Sequence, residues 1–139
     1  MKTRTEIDLL GSVEVPDTAL YGAQTQRAIE NFSAENQPTL EHFPALVQAL
    51  LLVKKAAVIT NAESGFLPPP IGQAILKSID TLLSEEWGGY FPIHYLHGGG
   101  GTSANMNVNE VLANMAEEEL GGRRGQYQMV HPNDHVNLY

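Results

Sequence analysis

Four consecutive glycines, Gly98 to Gly101, stand directly before an unbroken helical pattern, and no other feature of the 139 residues restricts the fold as much. Glycine enters left-handed backbone conformations without steric penalty, so the run predicts a sharp loop rather than an extension of either neighbouring element. Thr102, Ser103, Asn105, Asn107 and Asn109 follow, all uncharged donors and acceptors, where a helix must begin. A loop leading into a helix N-terminus presents unpaired amides and the positive end of the helix dipole, which together favour an anion. On helical geometry Thr102, Asn105 and Asn109 share one side, three and four residues apart. That side borders an apolar stripe, so these amides are expected to be buried and to need partners.

The remaining periodicity is helical. From Phe43 the apolar residues Leu46, Val47, Leu50, Leu51, Ala57 and Val58 recur at helical spacing, with Pro44 in the first turn and Gly65 as the stop. A second helix follows Pro68-Pro69-Pro70, with Ile71, Ala74, Ile75, Ile79, Leu82 and Leu83 on one side and Gly88-Gly89 at its end. The helix behind the glycines is expected to bury Val108, Val111, Leu112 and Met115, to turn Glu110, Glu117 and Glu118 outward, and to stop at Gly121-Gly122. Tyr21 to Phe32 reads as a shorter helix with Gln24, Gln26 and Arg27 on its polar face. Residues 1–20 read as a small hairpin or extended arm, with Gly11-Ser12 between Ile7–Leu10 and Val13–Val15, and Phe91 to Leu96 as an apolar connector. The class is mainly α. The wide apolar faces suit parts of a larger bundle, and no closing element comes after residues 131–137, so a fragment is expected.

Composition narrows the function. A formal net charge of −8 argues against a nucleic-acid surface, and an anionic ligand would need a locally electropositive pocket. The absence of cysteine removes disulfides, zinc–thiolate sites and thiol nucleophiles. The first residues lack the apolar core of a signal peptide, and no run approaches the roughly 20 apolar residues of a membrane span. A soluble, cytoplasmic protein with no nucleic-acid and no membrane partner is expected. His131 and His135 stand four apart, but Pro132 lies between them and no third ligand is evident, so neither metal nor cofactor is expected. Lys54 and Lys55 read as a solvated helix face, and Arg27 as structural.

Three blocks together resemble the class II fumarase and aspartase superfamily. They are Val15-Pro16 with Tyr21–Ala28 and Asn31-Phe32, then Gly98–Glu110, then Val130–Asn137. The resemblance implies the N-terminal helical domain of that fold over residues 1–139, truncated before the central helical bundle, and a homotetramer at full length with active sites built from three subunits. It also implies that the Gln-Ser-(Ser or Thr)-Asn-Asp motif and the Gly-Ser-Ser loop carrying the catalytic base lie beyond this sequence, so no catalytic residue is named. His97 stands where Gln is usual, and Tyr139 where a small residue is usual. The family reaction is anti elimination of ammonia or water from a small dicarboxylate to give fumarate. A base removes the proton beside a carboxylate, and neutral donors with a few cations stabilise the resulting dianion.

The resemblance places Thr102, Ser103 and Asn105 near the substrate carboxylates, and His131, Asn133 and Asp134 in a second, outer anion site. On the residues alone, 131–134 is equally a turn in which Asn133 or Asp134 caps the next helix, and Asn107 and Asn109 are ties between helices. Gly101-Thr102-Ser103 looks aspartase-like, since fumarases usually place Gln after Thr; Tyr21–Arg27 and Phe91-Pro92 look fumarase-like. The expected activity is elimination of ammonia from L-aspartate, with fumarate hydratase as the alternative and a non-catalytic interaction domain as a third possibility. The isolated chain is expected to be inactive.

Overall fold

An antiparallel hairpin opens the computed structural model, which describes residues 1–32, 35–97 and 99–138. Gly98 of the glycine run and Tyr139 lie outside the described residues. β1 (Thr3–Asp8) pairs with β2 (Gly11–Pro16) from Thr3 opposite Pro16 to Asp8 opposite Gly11. Along β2 Val13 and Val15 turn inward while Ser12 and Glu14 stay exposed, the alternation of a half-buried strand. The hairpin is the one read from Gly11-Ser12 between Ile7–Leu10 and Val13–Val15, and Ile7, Leu9 and Leu10 sit exposed at its tip. Gly11 at φ 114° makes the turn there.

Among the described residues four α-helices come next: α1 (Ala23–Asn31), α2 (Pro44–Glu63), α3 (Pro69–Ser84) and α4 (Thr102–Glu119). Pro44 in the first turn of α2 costs no hydrogen bond, as expected, and Pro69 and Pro70, read as lying before the second helix, form the first turn of α3 on the same terms. α3 stops at Ser84, short of Gly88-Gly89, because Glu85 is already extended and the Trp87 indole donates back to the Leu82 carbonyl at 2.8 Å. α4 packs on α1, α2 and α3 at once, and its Val108, Val111, Leu112, Ala113 and Ala116 are fully buried. Val47, Leu51 and Val58 of α2, Ile75 and Ile79 of α3, and Phe91 and Ile93 of the connector complete this core. Gly121, at φ 90°, ends α4 where the sequence placed the stop.

Three expectations are corrected. α2 is long and apolar enough to cross a membrane by length and composition, contrary to the sequence reading. Its centre carries Lys54 and Lys55, costly in hydrocarbon, and one face, with Val47, Leu51 and Val58, packs into the core, while Leu46, Leu52, Val53 and Ile59 stay exposed. Lys54 is not solvated but only 2% exposed. Glu110 and Glu117 do not face outward either; both are buried, and only Glu118 is exposed as expected.

The carboxylates are buried because amides converge on them, which helical periodicity alone does not reveal. Glu110 accepts from the backbone N–H of Gly22 (2.8 Å), Gln24 (2.7 Å) and Thr25 (3.1 Å) and from the Thr25 hydroxyl (2.6 Å). It thereby caps α1, with Glu6 taking the remaining first-turn amide, that of Ala23, at 2.9 Å. Burial pushes the Glu110 carboxyl up, against the pull of Thr25, Gln24 and Gly22. About two turns further along, Glu117 accepts from Gln128, Met129 and Val130 and holds the segment after α4. Between them Asn114 donates to the Leu20 carbonyl and accepts from Gly125.

Gly22 sits in the tightest part of this arrangement. A methyl there would strike the Tyr127 hydroxyl and lie 2.8 Å from Glu6 Oε2 and 3.0 Å from Glu110 Cδ. Gly22→Ala is therefore expected to cost about 2 kcal/mol or more, within the range of overpacked cores. Urea denaturation in which the variant unfolds together with the wild type would contradict this.

Candidate functional site

The loop before α4 takes the conformation its glycines allow. Gly100 and Gly101 adopt φ 64° and 95°, and a Cβ at either would meet nothing within 4 Å, so backbone conformation alone requires glycine. Gly101 is the N-cap of α4 and makes no side-chain cap bond. Thr102 is exposed in the first turn, and Ser103 and Asn105 are half-buried. The positive end of the α4 dipole thus carries two hydroxyls at an accessible edge.

Behind this edge lies a polar node. Asn105 and Asn109, one turn apart, each donate from Nδ2 to Asn137 Oδ1 at 3.1 Å. Lys54 donates to the same oxygen from α2 at 2.8 Å. Asn109 is fully buried, as the sequence implied for amides on this side of the helix, and its Oδ1 has no hydrogen-bond partner among the described residues. Asn107 points elsewhere and donates to the Tyr90 carbonyl at 2.9 Å, the structural tie expected of it.

The segment after Val130 is a wide five-residue turn, Pro132–Val136. Its cap is His131 rather than Asn133 or Asp134: the imidazole Nδ1 accepts from the amides of Asn133 (3.1 Å) and Asp134 (3.3 Å). His135 Nδ1 in turn accepts the His131 amide at 2.8 Å, so both imidazoles serve the turn. Burial is the main influence lowering the His135 pKa. Asn133 and Asp134 are exposed.

One open groove, about 730 Å³, brings part of the two predicted sets together. Ser103 lines it with His131 and Asn133, beside Gln24 and Arg27 of α1 and the apolar hairpin tip; Thr102, Asn105 and Asp134 are not among its lining residues. Arg27 is engaged, its guanidinium holding Asp8 at 3.0 and 3.2 Å and the Gly11 carbonyl at 3.0 Å, which bears out its structural role. Burial favours the neutral Asp8 carboxyl, but the bonds from Arg27, Leu10 and Gly11 outweigh it and keep the pKa below its ordinary value. His97, standing in the loop, bonds the His94 carbonyl through Nδ1 at 2.8 Å.

The sequence missed Lys54 as a member of this region. Lys54 and Asn137 are separated by 83 positions, and a lysine within an apolar helix carries no mark distinguishing a buried amine from a solvated one. Burial lowers the Lys54 pKa to about 8, from an ordinary 10.5. Between those two values the unfolded chain binds the proton that the folded chain has lost, so this residue's contribution makes stability rise with pH across that window. Lys54→Met is expected to flatten that rise in chemical-denaturation free energies measured from pH 7 to 10.5; parallel curves for the two proteins would contradict it.

Comparison with known proteins agrees with this architecture. The sequence profile of a lyase family matches residues 11–138. The fumarate hydratase class II of Bordetella parapertussis is 48% identical over 139 residues, covering 99% of this chain and 29% of that protein. The aspartate ammonia-lyase of Pseudomonas aeruginosa is 45% identical, covering 98% of this chain and 28% of that protein. The crystal structure of the fumarate lyase:delta crystallin from Brucella melitensis superposes with a TM-score of 0.93 at 48% identity, over 98% of this chain and 31% of that one. The chain therefore spans less than a third of the length of the relatives it matches.

Proposed function

The chain belongs to this lyase family, the family of class II fumarate hydratases and aspartate ammonia-lyases, and from that premise we propose that it supplies carboxylate-binding groups to a lyase forming fumarate from L-aspartate. The observation that carries the proposal is the junction at Gly100–Thr102. Left-handed glycines leave the α4 N-terminus without a side-chain cap, with Thr102 exposed and Ser103 facing the groove. Such an edge offers amides, hydroxyls and a dipole to one carboxylate of a small dicarboxylate. Asn105 stands one turn further in. His131 and Asn133, with Asp134 beside them, form the second, outer anion position across the same groove.

In this proposal the residues named here orient and stabilise, and the proton-removing base comes from outside these 139 residues. The whole enzyme is a cytoplasmic homotetramer in which other subunits complete the site. Ammonia is preferred over water as the leaving group because Ser103, rather than a long amide side chain, borders the groove at the position next to Thr102. Elimination of water from L-malate is the second reading, favoured by the slightly higher identity to the Bordetella parapertussis fumarate hydratase than to the Pseudomonas aeruginosa aspartate ammonia-lyase.

A segment exchange separates the two. Residues 1–138 would replace the matching segment of the Pseudomonas aeruginosa aspartate ammonia-lyase and, in parallel, of the Bordetella parapertussis fumarate hydratase. Fumarate formation by the aspartate chimera, reduced about 100-fold in kcat/KM by Thr102→Val as expected for loss of a preorganised donor, is the predicted outcome. Activity only in the fumarase chimera would establish the second reading, and a Thr102→Val chimera as active as its parent would remove the junction from the site. The 139-residue chain by itself is expected to form no fumarate from either substrate.

A further inference from the structure

We propose that Lys54 is a positioning residue for the carboxylate site, fixing the Asn105 side-chain amide through Asn137. The inference rests on the α4 junction being that site. Three segments distant in sequence meet at one atom: Lys54 of α2, Asn105 and Asn109 of α4, and Asn137 beyond the 132–136 turn all contribute to the cluster around Asn137 Oδ1. Two neutral amides would satisfy that oxygen, so the lysine is not needed to pair it.

Nor does stability explain a lysine that is 2% exposed. Replacing a buried charge by an apolar side chain of similar volume is often neutral or stabilising, because desolvation offsets much of what the charge gains. What an ammonium adds is a strong, charge-assisted bond to Asn137, which pins the carbonyl to which Asn105 also donates. With one Nδ2 proton committed, the Asn105 amide plane is set before any ligand arrives, and binding need not order it. The ammonium also places positive charge two hydrogen bonds from Asn105 in a chain whose net charge is −8. At neutral pH it is held mainly in the protonated form, its pKa being about 8.

The test uses the 139-residue chain with Lys54→Met, with Lys54→Gln as a variant that keeps a donor, and with Lys77→Met as a surface control of equal charge change. Side-chain amide resonances of Asn105 in the ligand-free protein report positioning directly, and succinate titration followed by the same spectra reports binding. Lys54→Met is expected to shift the Asn105 amide pair and bring its two protons closer together. It should weaken succinate about tenfold, as when an outer partner orienting a binding group is removed, with a thermal midpoint no lower than that of the wild type. Lys54→Gln should recover part of the affinity, and Lys77→Met should match the wild type. Unchanged Asn105 resonances in both Lys54 variants would overturn the proposal, as would affinity lost only in proportion to a lowered midpoint. If the wild type binds no succinate, because other subunits complete the site, the Asn105 resonances decide alone: shifted in Lys54→Met they support the positioning role, unchanged in both Lys54 variants they overturn it. Succinate bound equally by wild type and both Lys54 variants overturns the positioning role and leaves the site intact.

Discussion

The Glu110 carboxylate, buried in the middle of α4 and turned onto the first turn of α1, is the contact on which the rest of the arrangement depends. Four donors from Gly22, Gln24 and Thr25 reach it, and Glu6 takes the amide left over. A helix end otherwise buried with orphan amides would cost several hydrogen bonds; two carboxylates remove that cost and add a favourable dipole interaction. Arg4 then neutralises Glu6 at 2.8 Å and ties the hairpin to the carbonyls of Pro16, Ala19 and Tyr21. The hairpin and α1 are thus docked on α4 by polar contacts, with Val13, Val15 and Ala28 filling the space beneath.

The same helix repeats the device toward its C-terminus, where Glu117 collects three consecutive amides of the segment that leads to His131. That attachment sets the position of the 132–136 turn, and the turn sets that of Asn137. α4 therefore carries Ser103 in its own first turn and through Glu117 holds the segment leading to His131 and Asn133, while the hairpin tip and α1 line the rest of the groove. A site whose donors are fixed from one rigid element loses little freedom on binding a small ligand.

The helices, their order and the left-handed glycines could be read from the sequence, because apolar spacing and glycine each have a direct geometric consequence. Although only Asn109 is buried and Asn105 is half-buried, the placement of both on one side was equally accessible from helical period. Glu110, Glu117 and Lys54 were not. Their surroundings are built from backbone amides and a side chain 11 to 88 positions away, and charged residues on a helix are ordinarily solvated. The Gly98–Glu110 block that carries the family resemblance ends on Glu110, but helical spacing turned that carboxylate outward. For residues 131–134 the sequence left open, as one of two equal readings, a cap from Asn133 or Asp134; in the late turn itself the imidazole of His131, two and three positions earlier, takes both their amides.

Amide hydrogen exchange on Glu110→Gln tests most directly whether α4 holds the N-terminal segment through this carboxylate. The substituted amide keeps one acceptor oxygen but places N–H groups against the amides it must receive. Faster exchange at Gly22, Gln24 and Thr25, with α3 and the far end of α4 still protected, is the predicted result. Unchanged protection at those three amides, or loosening spread evenly over the chain, would contradict a docking role for Glu110.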